Sequence, residues 1–316
     1  MRLTVLARQS LAEFLGSAGL VTVVIGSGIA AQRLSPDDVG LQLLQNAVVT
    51  GAGLVALILA FGPVSGGHFN PVVTLAARAF GGVGNRQVAA YLSAQVVGGV
   101  AGALLANLMF GLPAVTLSTR DRSGGGLWLS EAVATFGLVV LVFGLVRAGR
   151  AGLAPFAVGS YITAAYWWSS STSFANPMID VARTLSDTFA GIAPASVPMF
   201  LVMQLVGGAV AVAVVALLYP QVAATAGTAV VPHDGAGPSG PHHGSRMVPG
   251  GPDDRSEPHD PDLTLDAAGP AAARPALRAD GGVMSGRPAA TAGPWPAVPL
   301  PQPSDSPPTH PSEETS

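Results

Sequence analysis

Ser65-Gly66-Gly67-His68-Phe69-Asn70-Pro71-Val72 and Ser171-Thr172-Ser173-Phe174-Ala175-Asn176-Pro177-Met178 are two copies of one pattern. Each copy lies inside a long uncharged stretch, Val39 to Ala77 and Ala151 to Ile179. Proline removes a backbone donor and fixes φ, so it breaks a helix interior but suits the first helical turn. Pro71 and Pro177 therefore read as the starts of two short helices, each introduced by an asparagine. Gly66 and Gly67 supply the backbone freedom for a tight entry into the first. At membrane depth, broken backbone is tolerated where it is buried in protein or lines a cavity.

The membrane setting follows from composition. Of 316 residues, 10% are charged and 49% are hydrophobic, against about 25% charged in soluble domains. Every basic residue is Arg, and Cys is absent, which excludes disulfides, thiolate metal sites and cysteine catalysis. His68 is the only His before residue 233, so the front of the chain offers no His cluster for a metal. No cofactor is expected, and without a nucleophile–base pair the chain does not read as an enzyme. Arg2 and Arg8 precede an apolar run too long for a cleaved signal peptide.

A helix needs about 20 residues to cross the hydrocarbon core. The pattern predicts six spans near 10–31, 41–61, 88–110, 127–147, 153–170 and 197–219. The stretches holding the Asn-Pro pairs have room for a span, a re-entrant loop and a half-helix. The halves also repeat outside those loops. Ala12-Glu13-Phe14-Leu15-Gly16 matches Ser130-Glu131-Ala132-Val133-Ala134, and Gln95-Val96-Val97-Gly98-Gly99 matches Gln204-Leu205-Val206-Gly207-Gly208. Three spans per half force the second half to insert upside down, as an inverted repeat. The predicted fold is an all-α membrane protein of six transmembrane helices and two re-entrant half-helices that meet N-terminus to N-terminus. Repeat 1 covers about 10–110 and repeat 2 about 127–220, within a channel domain of 10–220 that follows a cytoplasmic N-terminus of 1–9.

Arg2, Arg8, Arg78, Arg86, Arg147 and Arg150 fall on one side of this topology, and Arg33, Arg120 and Arg122 on the other. The excess predicts cytoplasmic N- and C-termini in a multi-pass protein of the plasma (inner) membrane. Residues 1–220 carry 10 Arg and 7 acids; residues 221–316 carry 5 Arg and 11 acids. That second segment holds 18 of the 27 prolines and reads as a disordered cytoplasmic tail. It is either a solvated appendage or a binder of a partner or metal, with His242-His243 as its one His pair. Nothing in the chain suggests nucleic-acid binding.

Taken together, the two Asn-Pro loops, the Glu13/Glu131 pair and the Gln95/Gln204 pair resemble the major intrinsic protein family of aquaporins and glycerol facilitators, over roughly residues 8–220. The resemblance implies a homotetramer with one pore per subunit, in contact with lipid, water and small neutral solutes. It implies that Asn70 and Asn176 line the pore, although each also suits a plain helix cap. Glu13 and Glu131 would hold the loops, with a proton relay as the sharper alternative. Gln95 and Gln204 read as loop-holding or pore-facing groups. The Gly98/Gly102 and Gly207/Ala211 spacings read as helix-packing surfaces.

This chain departs from the family pattern at several places. Val72 and Met178 replace the usual small Ala, and the bulk and flexibility of Met178 leave the size of the local bore open. Ile179 stands where the family has a filter arginine. The other filter positions carried over are Thr50, Ser173 and Tyr166, with Trp167 and Trp168 as substitutes or interfacial anchors. Asp180 resembles the glycerol-facilitator branch. Arg183 is expected either at the outer vestibule or paired with Asp187 or Asp180. The stretch from Ser173 to Pro194 looks like a bacterial branch associated with arsenic-resistance genes. The expected activity is passive passage of small neutral solutes, namely arsenous acid, glycerol-like polyols and water. A water-selective pore and a secondary transporter are the alternatives.

Overall fold

Four helices of this protein begin where a side chain takes up a free first-turn N–H, which would otherwise lack a partner. Thr4 accepts from Ala7 N at the start of α1 (Val5–Leu34), and Asp38 accepts from Leu41 N at the start of α2 (Val39–Ser65). Asn70 and Asn176 do the same for the short helices α3 (Pro71–Ala79) and α7 (Pro177–Arg183), with proline at the first helical position of each. The remaining helices are α4 (Asn85–Met109), α5 (Gly125–Arg147), α6 (Ala154–Trp168) and α8 (Val197–Leu218). This computed structural model describes residues 3–219. The tail expected over 221–316, with its His pair, lies outside the described residues.

The protein is an all-α, multi-pass membrane bundle. Five helices, α1, α2, α4, α5 and α8, are long and apolar enough to cross a bilayer. The outer faces carry exposed apolar side chains such as Leu15, Leu59, Val97, Leu105, Val133, Phe156 and Val210, as lipid contact requires. The sixth expected span is shorter than the sequence implies. Helix α6 has 15 residues, a rise of about 22 Å against a hydrocarbon core of about 30 Å. A single 3-10 turn, Ala151–Leu153, precedes it. It stops at Trp168 because Ser169 turns extended, with its hydroxyl bonded back to Ala165 O at 2.7 Å.

The first and third spans of the two halves pack alike, whereas α1 lies against α2 far more extensively than α5 against α6. Helix α4 lies on α1 as α8 lies on α5. A Cβ on Gly98 or Gly102 would sit 2.4 or 2.2 Å from the carbonyl oxygens of Phe14 and Ala18, and one on Gly207 would sit 2.1 Å from that of Ala132. Small residues thus let the backbones touch. Helices α2 and α6 cross at Gly51 and Gly159, where a Cβ on either would come within 2.8 Å of the other's carbonyl oxygen. The short helices close the middle of the bundle, and each rests on α4 and α8.

Candidate pore site

Each loop before an Asn-Pro is held by one buried carboxylate. Glu13 accepts from Ser65 Oγ (2.7 Å), His68 N (3.0 Å), Phe69 N (2.8 Å) and Gln95 Nε2 (2.8 Å). Glu131 accepts from Ser171 Oγ (2.6 Å), Phe174 N (2.9 Å), Ala175 N (2.8 Å) and Gln204 Nε2 (2.6 Å). The two sets correspond residue for residue, and both carboxylates are fully buried. Four donors each, two of them backbone, answer the cost of burying an acid.

The loops also share a backbone shape. Gly66, Gly67 and Phe69 have φ of 92, 64 and 44°, and Thr172, Ser173 and Ala175 have 64, 49 and 45°. The second loop therefore holds non-glycine residues in a left-handed conformation, at about 1–2 kcal/mol each. The Glu131 hydrogen bonds offset that strain. Glycine in the first loop eases a shape that the second adopts without it.

The two asparagines lie back to back. Each Oδ1 caps its own helix, accepting from Val72 N (2.9 Å) and Met178 N (3.1 Å). Each Nδ2 donates across to the opposite loop: Asn70 to Ala175 O and Asn176 to Phe69 O, both at 2.8 Å. A carboxamide nitrogen has two hydrogens, so each side chain keeps one donor beyond that crossing bond. Capping and cavity lining coexist here.

Both asparagines line a cavity of about 60 Å³, room for a few waters at about 10–15 Å³ each. Its wall comes in equivalent pairs: Leu20 and Val24 with Leu138 and Val142, Thr50, Leu54 and Ile58 with Val158, Ile162 and Tyr166, and Val73 with Ile179. His68 and Phe174 form another pair. Thr50 Oγ1 and Tyr166 Oη are 3.3 Å apart, and Ile179 lines the same cavity.

Residues 1–190 match the family model described as Major intrinsic protein. The chain belongs to the major intrinsic protein family. It is 48% identical over 208 residues to the aquaglyceroporin AqpS of Rhizobium meliloti (strain 1021), covering 66% of this chain and 88% of the relative. Aquaporin NIP1-2 of Arabidopsis thaliana is 33% identical over 167 residues, 49% of this chain and 55% of the plant protein. The crystal structure of the Plasmodium falciparum aquaglyceroporin superposes with a TM-score of 0.55 at 19% identity, over 69% of this chain and 98% of that one; it shares the fold. Membership in the major intrinsic protein family makes this chain a membrane channel and not an enzyme.

Within this major intrinsic protein, several residues sit differently from expectation. Val72 and Met178 are 3% and 1% exposed and do not line the cavity. Val72 packs on Gly208 and Met178 on Gly99, each against the other half of the molecule. Met178 therefore does not narrow the bore, because the missing side chain of Gly99 makes room for it. Ser173 also stays out of the lining; its backbone N donates to Ser171 Oγ at 3.2 Å, and its own Oγ is buried without a protein partner. Trp167 and Trp168 are half-exposed at the end of α6, as interfacial side chains are.

Asp180 is fully buried and off the cavity. Its equivalent in the first half is Thr74, which bonds His68 Nδ1 and Gln95 Nε2, each at 3.0 Å. In the second half His68 is replaced by Phe174, which has no polar atom to offer, and Asp180 is left with Gln204, the counterpart of Gln95, as its side-chain neighbour. Arg183 is 2% exposed and bonds Ala190 O, not a carboxylate. Asp187 instead accepts from Thr119 N at 2.9 Å. Arg183 therefore makes no hydrogen bond to Asp187 or Asp180, and its pairing with Asp180 is a charge interaction alone. Arg122, which the sequence places only in the charge count of one membrane side, lies in the connection between α4 and α5 and over the Phe174 ring.

Proposed function

We propose that this protein is a passive channel for small neutral solutes, including arsenous acid and glycerol-like polyols, with water alongside. The observation that carries this reading is a cavity lining without Arg, Lys, Asp or Glu, to which Ile179, Thr50 and Tyr166 all contribute. A filter arginine brings fixed donors and bulk that favour water. Ile179 brings neither, while the Thr50 and Tyr166 hydroxyls still offer hydrogen bonds to a solute hydroxyl. Arsenous acid is neutral at pH 7 and resembles a small triol. The name aquaglyceroporin borne by the Rhizobium meliloti relative supports a solute larger than water. The arsenic-associated look of the Ser173–Pro194 stretch supports the metalloid.

In this reading six spans cross the bilayer, and the two short helices enter from opposite faces. Their N-terminal ends face each other and disfavour cations. The functional unit is a homotetramer in the plasma (inner) membrane with a separate pore in each subunit. A cavity with a volume as small as about 60 Å³, room for a few waters, also favours a water-selective pore as a second reading.

The test is uptake of arsenite and glycerol by cells with and without the channel, alongside osmotic swelling of vesicles. Solute uptake above background supports the proposal. Fast swelling with no solute flux supports the water pore, and flux that requires an ion gradient supports a secondary transporter. Ile179→Arg is expected to lower glycerol passage at least about tenfold relative to water. An unchanged ratio removes Ile179 from the constriction.

A further inference from the structure

Ile179 leaves the pore wall uncharged, yet two guanidiniums stand directly behind that wall. Arg183 Cζ lies 3.6 Å from the centroid of the Phe174 ring, and Arg122 Cζ lies 5.1 Å from the same centroid. Phe174 itself lines the cavity beside Tyr166 and Ile179. Three successive carbonyls hold the pair: Phe189 O and Gly191 O accept from Arg122, and Ala190 O accepts from Arg183.

Among the described residues neither guanidinium has a carboxylate hydrogen-bond partner. Asp187 is engaged by Thr119, and Asp121 by Ser123 and Ser196. Carbonyl dipoles and an aromatic face orient the two charges. The carboxylates within electrostatic reach, Asp180 and Glu131 for Arg183 and Glu131 for Arg122, offset them only in part, without a hydrogen bond to either guanidinium. Arg183 is almost wholly buried, so solvent screens it little. The arrangement also fixes the loop: Arg122 N donates to Ser196 Oγ at 3.0 Å, and Ala193 N donates to Arg120 O at 2.7 Å. The α4–α5 connection is thereby tied to the residues around α7.

We propose that Arg122 and Arg183, mounted on Phe174, form the cation barrier of this pore. The inference rests on the channel reading above and adds to it a separation of two tasks. The wall at Thr50, Tyr166 and Ile179 selects by size and hydrogen bonding. The two charges behind Phe174 raise the potential at the mouth and repel cations and protons. One of the two comes from a connection between the repeats, outside the Asn-Pro motifs.

The test uses the purified full chain in liposomes, with osmotic water and glycerol flux measured beside Na⁺ and proton leak. The readout is the cation-to-glycerol flux ratio, which counts only folded channels. Arg122→Gln with Arg183→Gln is expected to raise that ratio at least about tenfold, and Arg122→Lys with Arg183→Lys to keep it near the native value. A Gln variant within about twofold of native, or a Lys variant that leaks as the Gln variant does, overturns the inference. Where the double variant passes no glycerol, Arg122→Gln alone decides by the same ratio, since Arg122 sits in a connection and not in a helix. A native chain that passes neither glycerol nor water above empty liposomes overturns the channel reading, and this inference with it.

Discussion

Glu131 is the residue on which the second loop depends, because a single carboxylate satisfies two backbone N–H groups, one hydroxyl and one carboxamide. Glu131→Gln keeps the size but replaces one acceptor oxygen with a donor that faces other donors. Leaving buried donors unsatisfied costs about 1–3 kcal/mol each, so the variant is expected to lose about 2–4 kcal/mol. Thermal unfolding in detergent measures the loss, and an unshifted midpoint refutes the role. This anchoring was legible in the sequence, since Glu13 and Glu131 recur at matching places ahead of matching loops. Met178 was not. Its letters give a size but no direction, and the glycine that receives it belongs to the other half of the chain. Met178→Ala is expected to cost about 2–4 kcal/mol by opening a cavity against Gly99. The glycerol-to-water flux ratio should stay within about twofold, because the side chain does not reach the lumen. A large change in that ratio, measured in proteoliposomes, returns Met178 to the pore.

The elements show the same division between what a string of letters carries and what only contact reveals. Span positions, the short helices and the duplication follow from apolar runs, proline placement and repeated motifs, all local features. The shortness of α6 does not, because the Ser169–Ser171 hydroxyls that end it act through contacts: Ser169 on Ala165 O and Ser171 on Glu131. Arg122 shows in the sequence as a topology charge and not as a neighbour of Phe174, for a related reason. It sits in a connection that is not duplicated, and folding alone brings it to Phe174. Helix contact, in contrast, was readable from small residues at four-residue spacing, and it gives a sharp test. Gly207→Ala would place a methyl 2.1 Å from Ala132 O, on a backbone that cannot retreat without separating α8 from α5. The expected loss is about 3 kcal/mol or more. Gly125→Ala, in the first turn of α5 with nothing within 4 Å, should instead gain up to about 1 kcal/mol of helix propensity. Matched melting curves for the two alanines decide whether packing or helix preference controls these sites.

At the scale of the whole molecule, the crossing number is decided by α6. Five crossings would put the ends of the chain on opposite sides of the membrane; six put them on the same side. Several observations favour six. Val158, Ile162 and Tyr166 line the cavity at successive turns of α6, as Thr50, Leu54 and Ile58 do on α2. The two helices touch at Gly51 and Gly159 and again through the Thr50–Tyr166 hydroxyls. A helix that follows a spanning partner for two turns along one lumen runs through the same layer, and the preceding 3-10 turn extends its reach. The arginine count, six near one set of span ends against three near the other, then predicts a cytoplasmic side for the start of α1 and the end of α8. Fluorescent and periplasm-active reporters fused ahead of α1 and after Tyr219 should therefore both report the cytoplasm. Reporters on opposite sides mean that α6 does not cross, which breaks the equivalence of α2 and α6 on which a two-sided pore depends. Both reporters outside would leave six crossings intact and reverse only the orientation.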